Sequence, residues 1–226
     1  MAQGSALKEC RALVTGGDSG FGLSLLQGLR AAGAEVAAVA LPDSSRVGIH
    51  AAIDGAVATL HGLDALVHAH NDPDLLTPQP LTETSEAAWE QGCEGTLQTA
   101  LFVLQAAYAH LHKRGGRIVL ITPTVSTSGS AGLVPLSAAV EAIRVLGKSA
   151  AKQWGGSGIT VNSLAPGLDA LADGREVPRV SLGQPALPDF DPQRDVGPIV
   201  SFLASGASAH LTGATLRVDG GSWTPG

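Results

Sequence analysis

The residues best placed to do chemistry are Thr15-Gly16-Gly17-Asp18-Ser19-Gly20-Phe21-Gly22. Glycines at this spacing, after an apolar strand and at the start of a helix, let the backbone approach a pyrophosphate. The helix N-terminus adds N–H donors and a favourable dipole. Gly16, Ser19, Gly20, Phe21 and Gly22 are therefore the candidate cofactor-binding residues. The competing reading is a tight strand-to-helix turn kept for packing alone. The next strand bears on this choice, because sites of this type place an acid at its end to bond the ribose hydroxyls. Here that end reads Val39-Ala40-Leu41-Pro42, and Asp18 in the turn would repel a phosphorylated ribose. The expectation is a vestigial cradle that binds NAD(H) weakly or holds no cofactor.

Other groups are less specific. His68 or His70 could act as a base near neutral pH, or simply hydrogen-bond within a crevice. The stretch 122–130 is rich in hydroxyls, but no histidine or acid is placed with it by sequence, so it does not read as a nucleophile site. Asp72-Pro73-Asp74 and Asp189-Phe190-Asp191 lack metal-ligand spacing and read as turns. No metal is expected.

The elements that would position these residues alternate along the chain. Strand-like apolar runs fall at 11–15, 36–41, 63–69, 117–122, 159–165 and 214–218. Helical patterns fall at 21–33, with Leu23, Leu26 and Leu29 at helical spacing, and at 50–61, 85–114, 135–153 and 196–204. This alternation predicts an α/β fold, a doubly wound parallel sheet with helices on both faces. Between residues 41 and 63 there is room for one helix where a full unit needs a helix, a strand and a second helix, so one helix after the second strand reads as deleted. Residues 168–194 are rich in Pro and charge, poor in periodicity, and read as a lid or substrate loop.

Composition narrows the class. A chain of 226 residues fits one domain spanning 1–226. A net charge of −6 argues against nucleic acid or an acidic membrane surface as a partner. Two cysteines far apart, Cys10 and Cys93, read as free thiols of a reduced, cytoplasmic protein. The first ten residues contain no apolar signal core.

Several motifs in order resemble the short-chain dehydrogenase/reductase family. They are the glycine turn, Leu63-Asp64-Ala65-Leu66-Val67, Arg117-Ile118-Val119-Leu120-Ile121, Ile159-Thr160-Val161-Asn162-Ser163-Leu164-Ala165-Pro166-Gly167, and Leu211-Thr212-Gly213-Ala214-Thr215-Leu216-Arg217-Val218-Asp219-Gly220-Gly221. The resemblance implies a single Rossmann-like domain and catalysis by an Asn, a Ser, a Tyr and a Lys. It places Thr96, Pro123, Leu136 and Val140 at those four positions, so the catalytic residues expected here are none. The lone tyrosine, Tyr108, falls on the long helix and reads as a packing or interface residue.

From these replacements the expectation is a catalytically inactive subunit of an oxidoreductase complex. It would pair with an active NAD(P)-dependent family member through helices 85–114 and 135–153, as a hetero- or homo-oligomer. The family includes heteromers with one inactive subunit, one type of which oxidises a hydroxyacyl-CoA thioester. The alternatives are a repurposed enzyme doing non-redox chemistry, an atypical oxidoreductase and a nucleotide sensor.

Overall fold

A computed structural model describes residues 6–41, 44–69, 73–172, 185–187 and 189–224. The elements in chain order are β1 (Arg11–Thr15), α1 (Gly20–Ala31), β2 (Glu35–Val39), α2 (Arg46–Thr59), β3 (Ala65–His68), α3 (Glu86–Trp89), α4 (Thr96–Leu111), β4 (Gly116–Ile121), α5 (Val125–Ser128), α6 (Val134–Trp154), β5 (Ile159–Pro166), α7 (Gly197–Ala204) and β6 (Thr215–Val218). The six strands form one sheet in the order β2-β1-β3-β4-β5-β6, and all five pairings are parallel. The order reverses between β1 and β3, so a crevice opens beyond the C-terminal ends of those two strands.

Parallel strands need both faces covered, and the alternation of side chains divides the core accordingly. Leu13, Leu66, Ile118, Leu120 and Val161 pack with α2, α4 and α6. Val14, Val67, Val119 and Leu164 pack with α1 and α7. On that second face α1 and α7 approach through glycine: a Cβ built on Gly28 would lie 2.7 Å from the Gly197 Cα. At the other end of the sheet Arg11 and Asp64 tie β1 to the start of β3. The Arg11 Nε donates to Asp64 Oδ2 at 2.7 Å and its Nη2 donates to Oδ1 at 2.8 Å.

Three expectations need correction. The segment 85–114 is helical from Glu86 to Leu111 but not uniformly α, since a π-turn at Glu90–Gly95 joins α3 to α4. On α1 the buried face is Phe21, Leu25, Leu26 and Leu29, while Leu23 is 49% exposed. Between β2 and β3 a strand is missing as well as a helix. Among the described residues α2 is the only element there, and β2 is left at the edge of the sheet.

Candidate functional site

The glycine turn joins β1 to α1 at the crevice. Gly16 has φ +73°, and a Cβ on Gly22 would sit 2.0 Å from the Gly16 carbonyl oxygen, so the turn closes only without side chains. Ser19 caps α1: its Oγ accepts from the Gly22 N–H at 2.9 Å and donates to the Gly16 carbonyl at 2.9 Å. Gly20 is exposed and Phe21 is buried under α1. A bare turn at the positive end of a 12-residue helix fits a pyrophosphate. Toward the adenosine side the described residues Val39, Ala40 and Leu41 offer no side-chain donor or acceptor, and Pro42 and Asp43 lie outside the described residues.

Across the crevice, His68 closes β3. It is 3% exposed, and its Nδ1 lies 2.8 Å from Thr15 Oγ1 on the paired strand. This is the hydrogen-bonded reading of His68 rather than a free base. His70 lies outside the described residues, as do Asn71 and Asp72.

The four positions the resemblance assigns to catalysis are all buried. Thr96 follows the π-turn at the start of α4 and is 9% exposed. Pro123 is buried just past β4. Leu136 and Val140, one turn apart on α6, join Val125, Leu133 and Leu168 in an aliphatic cluster. Leu168 enters from the turn after β5, which ends the sheet at Pro166-Gly167. Leu136 and Val140 can neither donate a proton nor carry charge.

Beside this cluster the structure shows a feature that sequence reading missed. Pairing with β5 runs on past Ile121, because the Thr122 and Thr124 N–H groups donate to the Leu164 and Pro166 carbonyls at 2.9 Å. Their side chains are then held inside, Thr122 at 1% and Thr124 at 0% exposure, and neither Oγ1 has a hydrogen-bond partner. Ser137 Oγ, on the first turn of α6, is also buried without one. By contrast, Ser126 and Ser130 donate to the Pro123 and Val125 carbonyls. The signal in the sequence was the alternation Leu120, Thr122, which puts a hydroxyl on the α6 face of a buried strand.

The remaining candidates resolve simply. Asp191 caps the π-turn Pro192–Val196, its Oδ1 accepting from the Arg194 N–H at 2.7 Å, and is not a metal ligand here. Among the described residues no three His, Cys, Asp or Glu are grouped to hold a metal ion. Tyr108 stacks on Trp154 with ring centroids 4.9 Å apart, which joins α4 to the end of α6. Both cysteines are free, and burial together with Asp64 pushes the Cys10 thiol up to about 11. Of the supposed lid 168–194, residues 173–184 and 188 lie outside the described residues. No helix among the described residues is long and apolar enough to cross a membrane.

Comparison with known proteins fixes the lineage. The profile of the enoyl-(acyl carrier protein) reductase family matches residues 29–222. A gluconate 5-dehydrogenase of Gluconobacter oxydans is 32% identical over 246 positions, covering 96% of this chain and 95% of that one. The chain belongs to the short-chain dehydrogenase/reductase family. A 3-oxoacyl-(acyl-carrier-protein) reductase FabG of Vibrio cholerae is 30% identical, covering 94% of this chain and 96% of that one. The crystal structure of a gluconate 5-dehydrogenase from Burkholderia cenocepacia, in complex with NADP and tartrate, superposes with a TM-score of 0.85 at 26% identity, covering 98% of both chains.

These findings overturn the expectation of an inactive subunit serving an active dehydrogenase. Relatives that match nearly end to end are named as oxidoreductases, and nothing in the comparisons points to a non-catalytic role.

Proposed function

We propose that this short-chain dehydrogenase/reductase is a nicotinamide-dependent oxidoreductase that interconverts a ketone and a secondary alcohol. The buried hydroxyls of Thr122 and Thr124, rather than a phenol, hold the reacting oxygen. The observation that carries the reading is the pair of unpartnered hydroxyls at the C-terminal end of β4. A buried hydroxyl left unpaired costs about 1–3 kcal/mol, and a substrate oxygen would remove that cost. The reaction class comes from the relatives, which are named as dehydrogenases and reductases.

A nicotinamide cofactor, when bound, would supply the hydride chemistry for the carbonyl carbon. The turn at Gly16, Ser19, Gly20 and Gly22 would hold its pyrophosphate, and the α1 dipole would favour that charge. Thr122 and Thr124 donate hydrogen bonds to the carbonyl oxygen and orient it. The aliphatic cluster of Val125, Leu136, Val140 and Leu168 excludes water from the oxygen's far side, which strengthens those bonds. In reduction the proton that completes the alcohol comes from solvent, since Leu136 and Val140 have none to give. The rate is therefore expected to fall short of a site with a placed acid by about 10²–10⁴-fold.

Self-association belongs to the same reading, through the outward faces of α4 and α6. On α6, Ile143 and Ala150 face the sheet, while Ala138, Ala142 and Leu146 are half-buried and Val145 is 52% exposed. Sedimentation of the purified chain reads the oligomer directly.

The test of function is turnover by the purified protein. NADH and NADPH are supplied with a panel holding a keto sugar acid and 3-oxoacyl thioesters, and oxidation of the cofactor is followed. Turnover that Thr122→Val reduces supports the proposal. No cofactor oxidation above the protein-free rate with any substrate in the panel removes it.

A further inference from the structure

The relatives are named for two dissimilar substrates, a polyhydroxy acid and an acyl chain. The structure offers a way to choose between them. A pocket of about 160 Å³ lies where the segment after β3, helix α3 and the loop before α6 meet. Its composition is graded. Leu133 is fully buried, and Leu75, Ala88 and Pro135 are half-buried, so the inner wall is apolar. Thr77, Gln79 and Gln91 are exposed and form the polar rim.

Two of these residues connect the pocket to the proposed reaction site. Leu133 and Leu75 belong to the same aliphatic cluster as Val125, Leu136 and Val140. The pocket wall thus shares its aliphatic cluster with Val125, the residue that follows Thr124. The walls are also fixed in place. The Gln79 N–H donates to the Gly132 carbonyl at 2.8 Å, tying the segment after β3 to the loop before α6. Gly92 lets the walls close, since a Cβ there would lie 2.6 Å from Leu75 Cδ2 and 2.9 Å from Pro135 Cβ.

We infer that this pocket receives the non-reacting arm of the substrate, and that the arm is the apolar end of an acyl chain, of up to about six carbons. The inference rests on the oxidoreductase reading above and names the substrate class for that site. The size follows from volume, because a cavity of about 150 Å³ accommodates benzene. The chemistry follows from the buried and half-buried lining, Leu75, Ala88, Leu133 and Pro135, which carries no charge, while the polar lining groups sit on the exposed residues Thr77, Gln79 and Gln91. A polyhydroxy acid placed there would lose its hydrogen bonds to water and regain few. An acyl chain loses none, and the rim glutamines meet the polar end of the molecule that remains in solvent.

The test measures binding as well as turnover, on the full-length protein. Calorimetry compares 3-oxohexanoyl- and 3-oxobutanoyl-N-acetylcysteamine, with 5-ketogluconate as the polar competitor. The six-carbon thioester is expected to bind at least ~10-fold more tightly than the four-carbon one, as two buried methylenes at about 0.8 kcal/mol each require. Ala88→Phe, which fills the pocket from its half-exposed side, is expected to erase that difference. Equal affinity for the two thioesters, a difference that survives Ala88→Phe, or binding of neither thioester each overturns the inference. Turnover of 5-ketogluconate alone would overturn the inference and leave the oxidoreductase reading standing. Thioester binding without cofactor oxidation would do the reverse.

Discussion

His68 and Thr15 face each other across the β1–β3 ladder, with Nδ1 and Oγ1 2.8 Å apart at the mouth of the crevice. The bond joins the strand that enters the glycine turn to the strand beside it, so it sets the spacing of the crevice walls. His68→Ala is therefore expected to act on stability. Loss of a buried hydrogen bond and of side-chain packing should cost about 1–3 kcal/mol, a fall in Tm of several degrees. If His68 were a base, His68→Gln would flatten the pH–rate profile between pH 5 and 8. The expected profile is unchanged in shape.

Thr122→Val and Thr124→Val should move activity and stability in opposite directions. Each removes a buried hydroxyl without a partner, so the folded state loses nothing and is expected to gain up to about 1 kcal/mol. Each also removes a donor to the substrate oxygen, and kcat/KM should drop about tenfold or more. Urea titration beside steady-state kinetics separates the two effects. A variant both less stable and equally active would show that the hydroxyls are structural.

Leu136→Tyr together with Val140→Lys tests what the aliphatic cluster forgoes. A phenol one turn from an ammonium supplies a proton donor with a lowered pKa, and kcat should rise about 10²-fold. The cost is folding stability, because an ammonium enters a cluster where both native side chains are 2% exposed. Unchanged kcat in a folded double variant would mean that proton delivery does not limit this enzyme.

Acid should weaken the Arg11–Asp64 tie. Hydrogen bonds from the Arg11 guanidinium hold the Asp64 carboxyl below its ordinary value of 3.8. A depressed folded value means that the stabilisation is present above 3.8 and is lost as pH falls through the folded value. The Asp64 side chain is 34% exposed, so the pair is worth about 1 kcal/mol rather than a buried pair's share. Asp64→Asn is expected to lower Tm at pH 7 by about 2–4 °C. It should also reduce the loss of Tm between pH 5 and 3.

Two helical glycines should respond to alanine with opposite signs. Gly55 on α2 is exposed with nothing within 4 Å of a built Cβ, so Gly55→Ala should stabilise by about 0.8–1.0 kcal/mol. Gly28→Ala gains the same propensity but drives a methyl against the Gly197 backbone. Overpacking of about 1–3 kcal/mol should outweigh the gain. Thermal melts of the two variants decide it.

Much of the fold was legible because its signals are local. The run Arg11 to Thr15 is a strand with those bounds, and the apolar alternation of Ile118, Leu120 and Val161 gave the central strands. The π-turn at Glu90–Gly95 was not read, although Gly92 and Gly95 mark a weak point in a helix. The glycine turn was readable from spacing. The threonine pair was not, because a hydroxyl's burial depends on what packs around it in the folded chain. The replacements at Thr96, Pro123, Leu136 and Val140 were visible, but inferring inactivity from them went further than those residues allow. Loss of one set of groups says nothing of hydroxyls that only the folded chain brings to the site.

The position of β2 at the sheet margin has a consequence for the protein's conduct in a crowded solution. In its five residues, Glu-Val-Ala-Ala-Val, Glu35 and Val39 bond toward β1, so Val36 and Ala38 carry the outward backbone groups, of which the Val36 carbonyl accepts from Arg30 Nη2 at 3.4 Å. A strand of small apolar residues is a template on which another extended chain can add. Glu35 at its start carries a charge that discourages such growth. That carboxylate and the Arg30 guanidinium on the Val36 carbonyl together guard the margin against self-templated assembly, and replacing Glu35 with a β-branched residue would weaken that guard.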